Sequence, residues 1–311
     1  MEPMQGGQDN YSFIDGGLFR KVQMKLGVHN HQGILALAGI VFAWLPLVVF
    51  TTIHGTLYDG AATPFLQDVA MHARILIALP VLILIRNVIG IKTTAAIKYM
   101  SDSLLDSEER HQMVSVTLPK MRRLACSSLT ELILILLIVA SVFSLTRSGA
   151  YGELLGGAST WKFTSESGQS VMTLAGKWAF YISIPFFQFL LLQWIWRYIV
   201  WIMLLFRFSR LPLLLLPTHA DRAGGLGILI LAQRSFSFIF VAGSLVISGQ
   251  LIVHIMNAPD DILMVQRVGI GYIILCVILL LLPLVFFIDK LVKIKQIGLL
   301  HMSKLGTDLC R

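Results

Sequence analysis

Charge is scarce in this sequence. Asp, Glu, Lys and Arg make up 14% of its 311 residues and hydrophobic residues 56%, where a soluble globular chain carries about a quarter charged residues. That imbalance, with a mean hydropathy of +0.77, excludes an ordinary soluble domain. Cysteine is nearly absent. Cys126, Cys276 and Cys310 form no CxxC or other metal-ligand spacing and read as free thiols. No secretory leader is expected: residues 1–32 are polar without an apolar core, so the first span is expected to act as the targeting signal. There is no GKS/T phosphate loop, no HExxH, no GxSxG and no pair of intramembrane aspartates, which leaves nucleotide hydrolysis and embedded hydrolysis without a motif. No cofactor pattern is present, no cofactor is expected, and no internal repeat of the kind many secondary transporters carry is evident.

What the chain has is long apolar runs. Six are near the roughly twenty residues that cross a bilayer core: 33–53, 73–91, 129–145, 178–205, 235–256 and 268–288. The expected fold is all-α, a polytopic membrane protein with six transmembrane helices. It divides into a cytoplasmic segment 1–32, a membrane domain 33–291 and a cytoplasmic tail 292–311. With the amino terminus inside, 20 of the 25 Lys and Arg fall on inner flanks and 5 on outer ones, so both termini are expected to be cytoplasmic. The same distribution explains the formal charge of +8. A nucleic-acid footprint would be one clustered patch, whereas these cations spread over four segments and suit anionic lipid.

Proline punctuates four spans, at Pro46, Pro80, Pro185 and Pro283. A helical proline removes one hydrogen bond and leaves the carbonyl four residues back without its partner, here Phe42, Leu76, Tyr181 and Leu279. In lipid those carbonyls need partners from neighbouring helices, hydroxyls or water. Kinked spans suit a pore or a moving transporter, although proline is also simply commoner in membrane helices. The second helix is expected to start ahead of its apolar run, with Thr63 as cap and Pro64 in the first turn. The segment 92–126 predicts two amphipathic helices, the second starting at Ser107-Glu108-Glu109 and running toward the third span. It is a surface for sister subunits or a cytoplasmic partner. Residues 147–170, rich in Gly and Ser, read as an outer loop. In the fourth span, "FFQFLLLQWIWRYIVWIMLLFRFSR" predicts a crossing that ends near Arg197. Trp194, Trp196, Tyr198 and Trp201 would then form an interfacial belt, with Arg197 reaching for head groups.

Three polar groups are candidate sites. The first is "LPLLLLPTHADRAGGLGILILA", which places His219, Asp221, Arg222, Gly224 and Gly225 between apolar stretches too short to cross. A single helix from 218 to 256 would approach about 58 Å, nearly twice the hydrocarbon core, so the chain must bend. One geometry is an interfacial elbow in which Thr218 and Asp221 form a capping box and the glycines permit close helix approach. The other is a re-entrant hairpin whose backbone amides, beside Arg222, cradle an anion, or in which His219 and Asp221 exchange a proton. Gln188, near mid-bilayer, joins this set as an ion or solute contact. The second group is an outer cluster of His54, Asp68, His72 and His254, in which Asp68 and His72 lie four apart on one helix face, a spacing for a metal, a proton relay or plain interfacial polarity. The third is an inner ion pair of Glu131 with Arg86, Arg197 or Arg222, since intramembrane ionisable groups are generally paired. Snorkelling of both groups to the interface remains open.

The segments "AWLPL", "PFLQD", "HARILIALP", "FFQFLLLQWIWR" and above all "PTHADRAGGLG" resemble a family of bacterial six-span inner-membrane proteins carrying a PTHxDRAGGLG motif. The resemblance covers spans one, two, four and the start of five. It implies a bacterial inner-membrane location and the span count, and it supplies no activity. Function is therefore expected from the architecture: a homo-oligomeric channel or transporter for a small ion or polar solute. A non-transporting scaffold or signalling partner is the alternative, and an embedded enzyme a third.

Overall fold

A computed structural model describes residues 11, 16, 31–148, 160–166, 169–257 and 261–309. Helix α1 is Gln32–Ile53 and α2 is Val69–Ser103. Helix α3 covers 107–125, and α4 is Ser128–Ser148. A two-stranded antiparallel hairpin follows, β1 Phe163–Glu166 with β2 Gln169–Met172, pairing Phe163 with Met172. Helix α5 is Leu174–Arg210, α6 Gly227–Ser235, α7 Ser237–Asn257, α8 Ile262–Val285 and α9 Ile288–Leu309. Six of these stretches are long and apolar enough to cross a membrane. Their outward faces stay apolar. Val139 and Phe143 on α4 and Ile270, Ile273 and Ile278 on α8 are exposed, and Pro283 is the one buried residue of α8. An apolar surface this extensive is stable only against lipid. The chain is an all-α, multi-pass membrane protein.

Two helices outrun the bilayer. α2 has 35 residues and α5 has 37, about 52 and 55 Å at 1.5 Å per residue, against a hydrocarbon core of roughly 30 Å. The polar sequence after residue 92 continues α2 because it still carries an apolar stripe: Thr93, Ala96, Ile97 and Met100 are buried. The chain turns at 104–106 and returns as α3, which starts at Ser107 as its acidic first turn predicts. α5 likewise runs unbroken to Arg210. The expected aromatic belt is corrected. Trp194, Tyr198, Trp201 and Arg197 are all buried inside the bundle, with Arg197 1% exposed, and Trp196 alone of the set is half-buried. Together α2, α3, the end of α5, α6 and α9 make one elaborated end, here the elbow end. The opposite end carries the β-hairpin, which takes up the end of the 147–170 stretch expected as a loop. Residues 149–159 and 167–168 of that stretch lie outside those described.

The prolines take two forms. Pro80, Pro119 and Pro185 each follow a π-helical turn: Ala73–Ala78, Met113–Thr117 and Ala179–Ser183. In these turns the amides of Leu79, Leu118 and Ile184 bond five residues back, to Arg74, Met113 and Ala179. The wider turn moves the carbonyls before each proline out of the ring's way. Pro46 and Pro283 instead lie inside α-helix, and other helices answer the carbonyls loosened beside them. Tyr198 Oη donates to the Leu279 carbonyl at 2.6 Å and Gln233 Nε2 to that of Leu280 at 2.9 Å. Ser183 Oγ donates to the Ala43 carbonyl at 2.8 Å.

Gln233 is the junction of this bonding. Its Nε2 also donates to Tyr198 Oη at 2.7 Å, while its Oε1 accepts from Trp201 Nε1 at 3.0 Å. Gln233→Leu removes its bonds to Trp201, to Tyr198 and to the Leu280 carbonyl, and Tyr198 keeps its bond to Leu279. Interhelical hydrogen bonds in membranes are worth about 0.6–2 kcal/mol each, so a loss of about 1–3 kcal/mol is expected, read as a lower unfolding temperature in detergent. An unchanged midpoint would show that the junction does not hold α8 to the bundle.

Candidate functional site

Between residue 54 and α2 the chain passes through a 3₁₀ turn, Phe65–Gln67, and the residue that caps α2 is Asp68, not Thr63. Thr63 instead bridges to Thr160 beside the hairpin, and its carbonyl accepts the Trp161 amide. Trp161 is fully buried with its ring edge-on to Phe65 at 4.9 Å. That anchor delivers Lys162 to Asp68. Thr173 caps α5 through the Gly176 amide and donates to the Trp161 carbonyl at 2.9 Å. Gly176 is required here, since a Cβ would lie 2.3 Å from the Lys162 carbonyl oxygen.

The Asp68 carboxylate is fully engaged. Oδ1 accepts the Met71 amide at 2.9 Å, and Oδ2 accepts Trp161 Nε1 at 3.0 Å and meets Lys162 Nζ at 2.8 Å. Burial alone would raise its pKa, but the Lys162 ammonium and these hydrogen bonds hold it below the ordinary carboxylate value. The expected Asp68–His72 relay is not formed through side chains. His72 Nδ1 faces the Asp68 backbone carbonyl at 2.7 Å, and its ring packs against Phe65. His54 ends α1, exposed. His254 faces Asp261 at 3.3 Å. Among the described residues no group of three or more His, Cys, Asp or Glu could hold a metal ion.

Inward from Asp68 lies a cavity of about 600 Å³. Its walls come from five of the six spans: Met71 and Arg74 on α2, Ser141 and Leu145 on α4, Phe180 and Gln188 on α5, Gln250 and His254 on α7, and Met264 and Val268 on α8. Asp68 and Lys162 close one side. Arg74 and Phe180 stand on two of the π-turns, which is where helices commonly depart from α-geometry at functional sites. Gln188 therefore belongs with the Asp68 region and not with the 219–225 stretch. His219 and Asp221 do not line this cavity.

The inner charged residues occupy the bundle's core. Glu131, in the first turn of α4, is buried and accepts from Gln193 Nε2 at 2.7 Å. Arg86 and Arg197 are also buried, and the Arg197 guanidinium stands over the Trp194 ring at 5.1 Å. Burial of all three excludes snorkelling to water. Arg222 is exposed at the elbow, so it is not Glu131's neighbour.

The 211–226 stretch does turn. α5 ends at Arg210, the chain leaves helical geometry, and α6 starts at Gly227. Arg222, Gly224 and Gly225 take positive φ of 55°, 67° and 99°, and the two glycines make the turn tolerable. The Thr218 capping box does not form. Asp221 itself gathers the amides: Oδ1 accepts Ala223 at 2.9 Å and Gly225 at 3.1 Å, and Oδ2 accepts Gly227 at 2.7 Å. His219 Nδ1 lies 2.7 Å from the same carboxylate, while its Nε2 meets Tyr99 Oη at 3.1 Å. Burial pushes Asp221 up, but the three amides and His219 carry it well below the carboxylate range. The amides expected to cradle an outside anion thus hold the chain's own. α2 and α9 clamp the elbow from both sides. Leu214 donates to the Leu104 carbonyl at 2.9 Å, Lys290 Nζ bonds the Leu211 carbonyl, and Gly298 sits against Pro217.

Sequence reasoning missed Arg74, Lys162, Gln250, Gln193 and Gln233. Arg74 and Lys162 counted only toward the charge balance of the flanks. Gln233 ends the apolar run "GILILA", and a lone glutamine there was the available signal. No protein-family model, curated protein or solved structure matches this chain.

Proposed function

We propose that this membrane protein moves a small ion or polar solute across the bilayer, with the cavity between α2, α4, α5, α7 and α8 as its binding station. The cavity carries this reading: about 600 Å³ at span depth, with Arg74, Gln188 and Gln250 among apolar walls. That volume and mixture fit a small-molecule site, and ionisable groups within spans mark solute paths by default. π-turns at Arg74 and Phe180 add helix segments whose hydrogen-bond register can shift between two states. The charge asymmetry of the sequence favours an orientation with the elbow end in the cytoplasm, and the PTHADRAGGLG resemblance favours a bacterial inner membrane.

The test is flux from liposomes that contain the purified full-length chain, for inorganic ions and for small organic acids, amides and amines. Uptake above protein-free liposomes is expected for at least one class, reduced several-fold by Gln188→Leu and Gln250→Leu. No flux of any class from a monodisperse preparation rejects transport. The second reading, a scaffold, is favoured by the elbow end, where α2, α3 and α9 project past the bilayer and the polar residues of 219–227 bond one another. A partner captured stoichiometrically on 92–126, together with absent flux, would select it.

A further inference from the structure

The cavity's charges do not cancel. Its lining holds two basic side chains, Arg74 and Lys162, and one carboxylate, Asp68. Asp68 is consumed by Lys162 at 2.8 Å, by Trp161 and by the Met71 amide. Arg74 is half-buried, and among the described residues its guanidinium makes neither a hydrogen bond nor an ion pair. It feels Asp68 only through space. A half-buried guanidinium near the end of a span without a hydrogen-bond partner among the described residues is costly, since buried charges are stable when paired and hydrogen-bonded. Five N–H donors in a planar fork suit a carboxylate or phosphate best. Beside polar Ser141, Gln188 and Gln250, the cavity lining includes the aliphatic Val142 and Leu145 of α4 and Val246, Ile247 and Leu251 of α7.

We infer that the cavity takes an amphiphilic anion, whose carboxylate or phosphate pairs with Arg74 and whose apolar body lies along α4 and α7. This rests on the reading of the cavity as a binding station and names the class of its occupant. A soluble organic acid and an anionic lipid head group present the same chemistry.

The test uses the full-length protein, purified in dodecyl maltoside. Calorimetric titration compares hexanoate, hexanamide and hexylamine, which share one apolar body. Hexanoate is expected to bind at least about 10-fold more tightly than hexanamide, the equivalent of one charge-assisted contact, and hexylamine more weakly still. Arg74→Gln removes the preference for the acid, and Arg74→Lys keeps it. In parallel, phospholipid extracted from the preparations is counted. Anionic phospholipid retained by the wild type and lost in Arg74→Gln identifies a head group as the source and also supports the inference. Equal binding of hexanoate and hexanamide, or no binding of either, overturns it when wild type and Arg74→Gln retain equal phospholipid. Should Arg74→Gln fail to fold, the wild-type preference for the acid and the Arg74→Lys phospholipid count decide. Flux of a neutral or cationic solute without any anion preference would reject this inference and leave transport standing. Anion binding without flux would do the reverse.

Discussion

Gly249→Leu is expected to abolish the folded protein. α7 crosses the start of α2 at this glycine, and a Cβ built there would lie 2.8 Å from the Cα of Ala70. The obstacle is backbone, which cannot rotate aside as a side-chain end can. One added methyl already forces the helices apart, at the usual overpacking cost of about 1–3 kcal/mol, and three further carbons take the crossing beyond repair. Small residues at membrane helix crossings serve this close approach. Size-exclusion of detergent extracts should show aggregate where the wild type elutes as one peak. Gly271→Leu is the control, because nothing lies within 4 Å of a Cβ there, and it should elute as wild type. A monodisperse Gly249→Leu protein with unchanged melting would refute the crossing.

Asp221→Ala has the next largest effect. It strips three backbone amides of their shared acceptor and leaves His219 without its carboxylate. Hydrogen bonds are worth about 1 kcal/mol net, and more to a charged acceptor. The side chain is 20% exposed, so water recovers part of the loss, and about 2–4 kcal/mol is expected, seen as a melting point lower by about 3–6 °C. Asp221→Asn keeps an acceptor but not the charge, and should fall between. The pH dependence has a defined sign. Because the folded-state pKa of Asp221 is depressed, its contribution is complete above the ordinary carboxylate range and is lost as pH falls through the lower folded-state value. The gap between wild type and Asp221→Ala should stay constant from pH 8 to 5 and narrow only in stronger acid. A gap that closed near neutrality would refute this assignment.

Much of the fold was legible, because hydropathy reports which stretches enter lipid and Pro or Gly clusters report where they stop. The six spans, the turn before α6 and the helix start at Ser107 all follow from that. Span length was not legible. The 92–103 stretch is polar on one face, and only packing against α6 and the elbow shows why its buried stripe continues α2. The fourth span was misjudged for a different reason. Trp194, Tyr198 and Trp201 were weighed by composition, as aromatics near a membrane edge. Their spacing of four and three places them on one helix face with Arg197 and Leu205, and that face is interior. Trp196, off the stripe, is the half-buried exception. The candidate site was least legible, since Lys162 reaches Asp68 across three elements and through a hairpin with no periodic pattern.

The three π-turns have a consequence for how this chain tolerates change in length. Each holds one residue more than the α-turn it replaces, so a single deletion within 73–78, 113–117 or 179–183 can close the turn and leave every downstream side chain pointing as before, at the cost of returning the proline ring to the carbonyl four residues back. The same deletion elsewhere in α2 or α5 would rotate the remainder of the helix by about 100° and carry its interior face toward lipid.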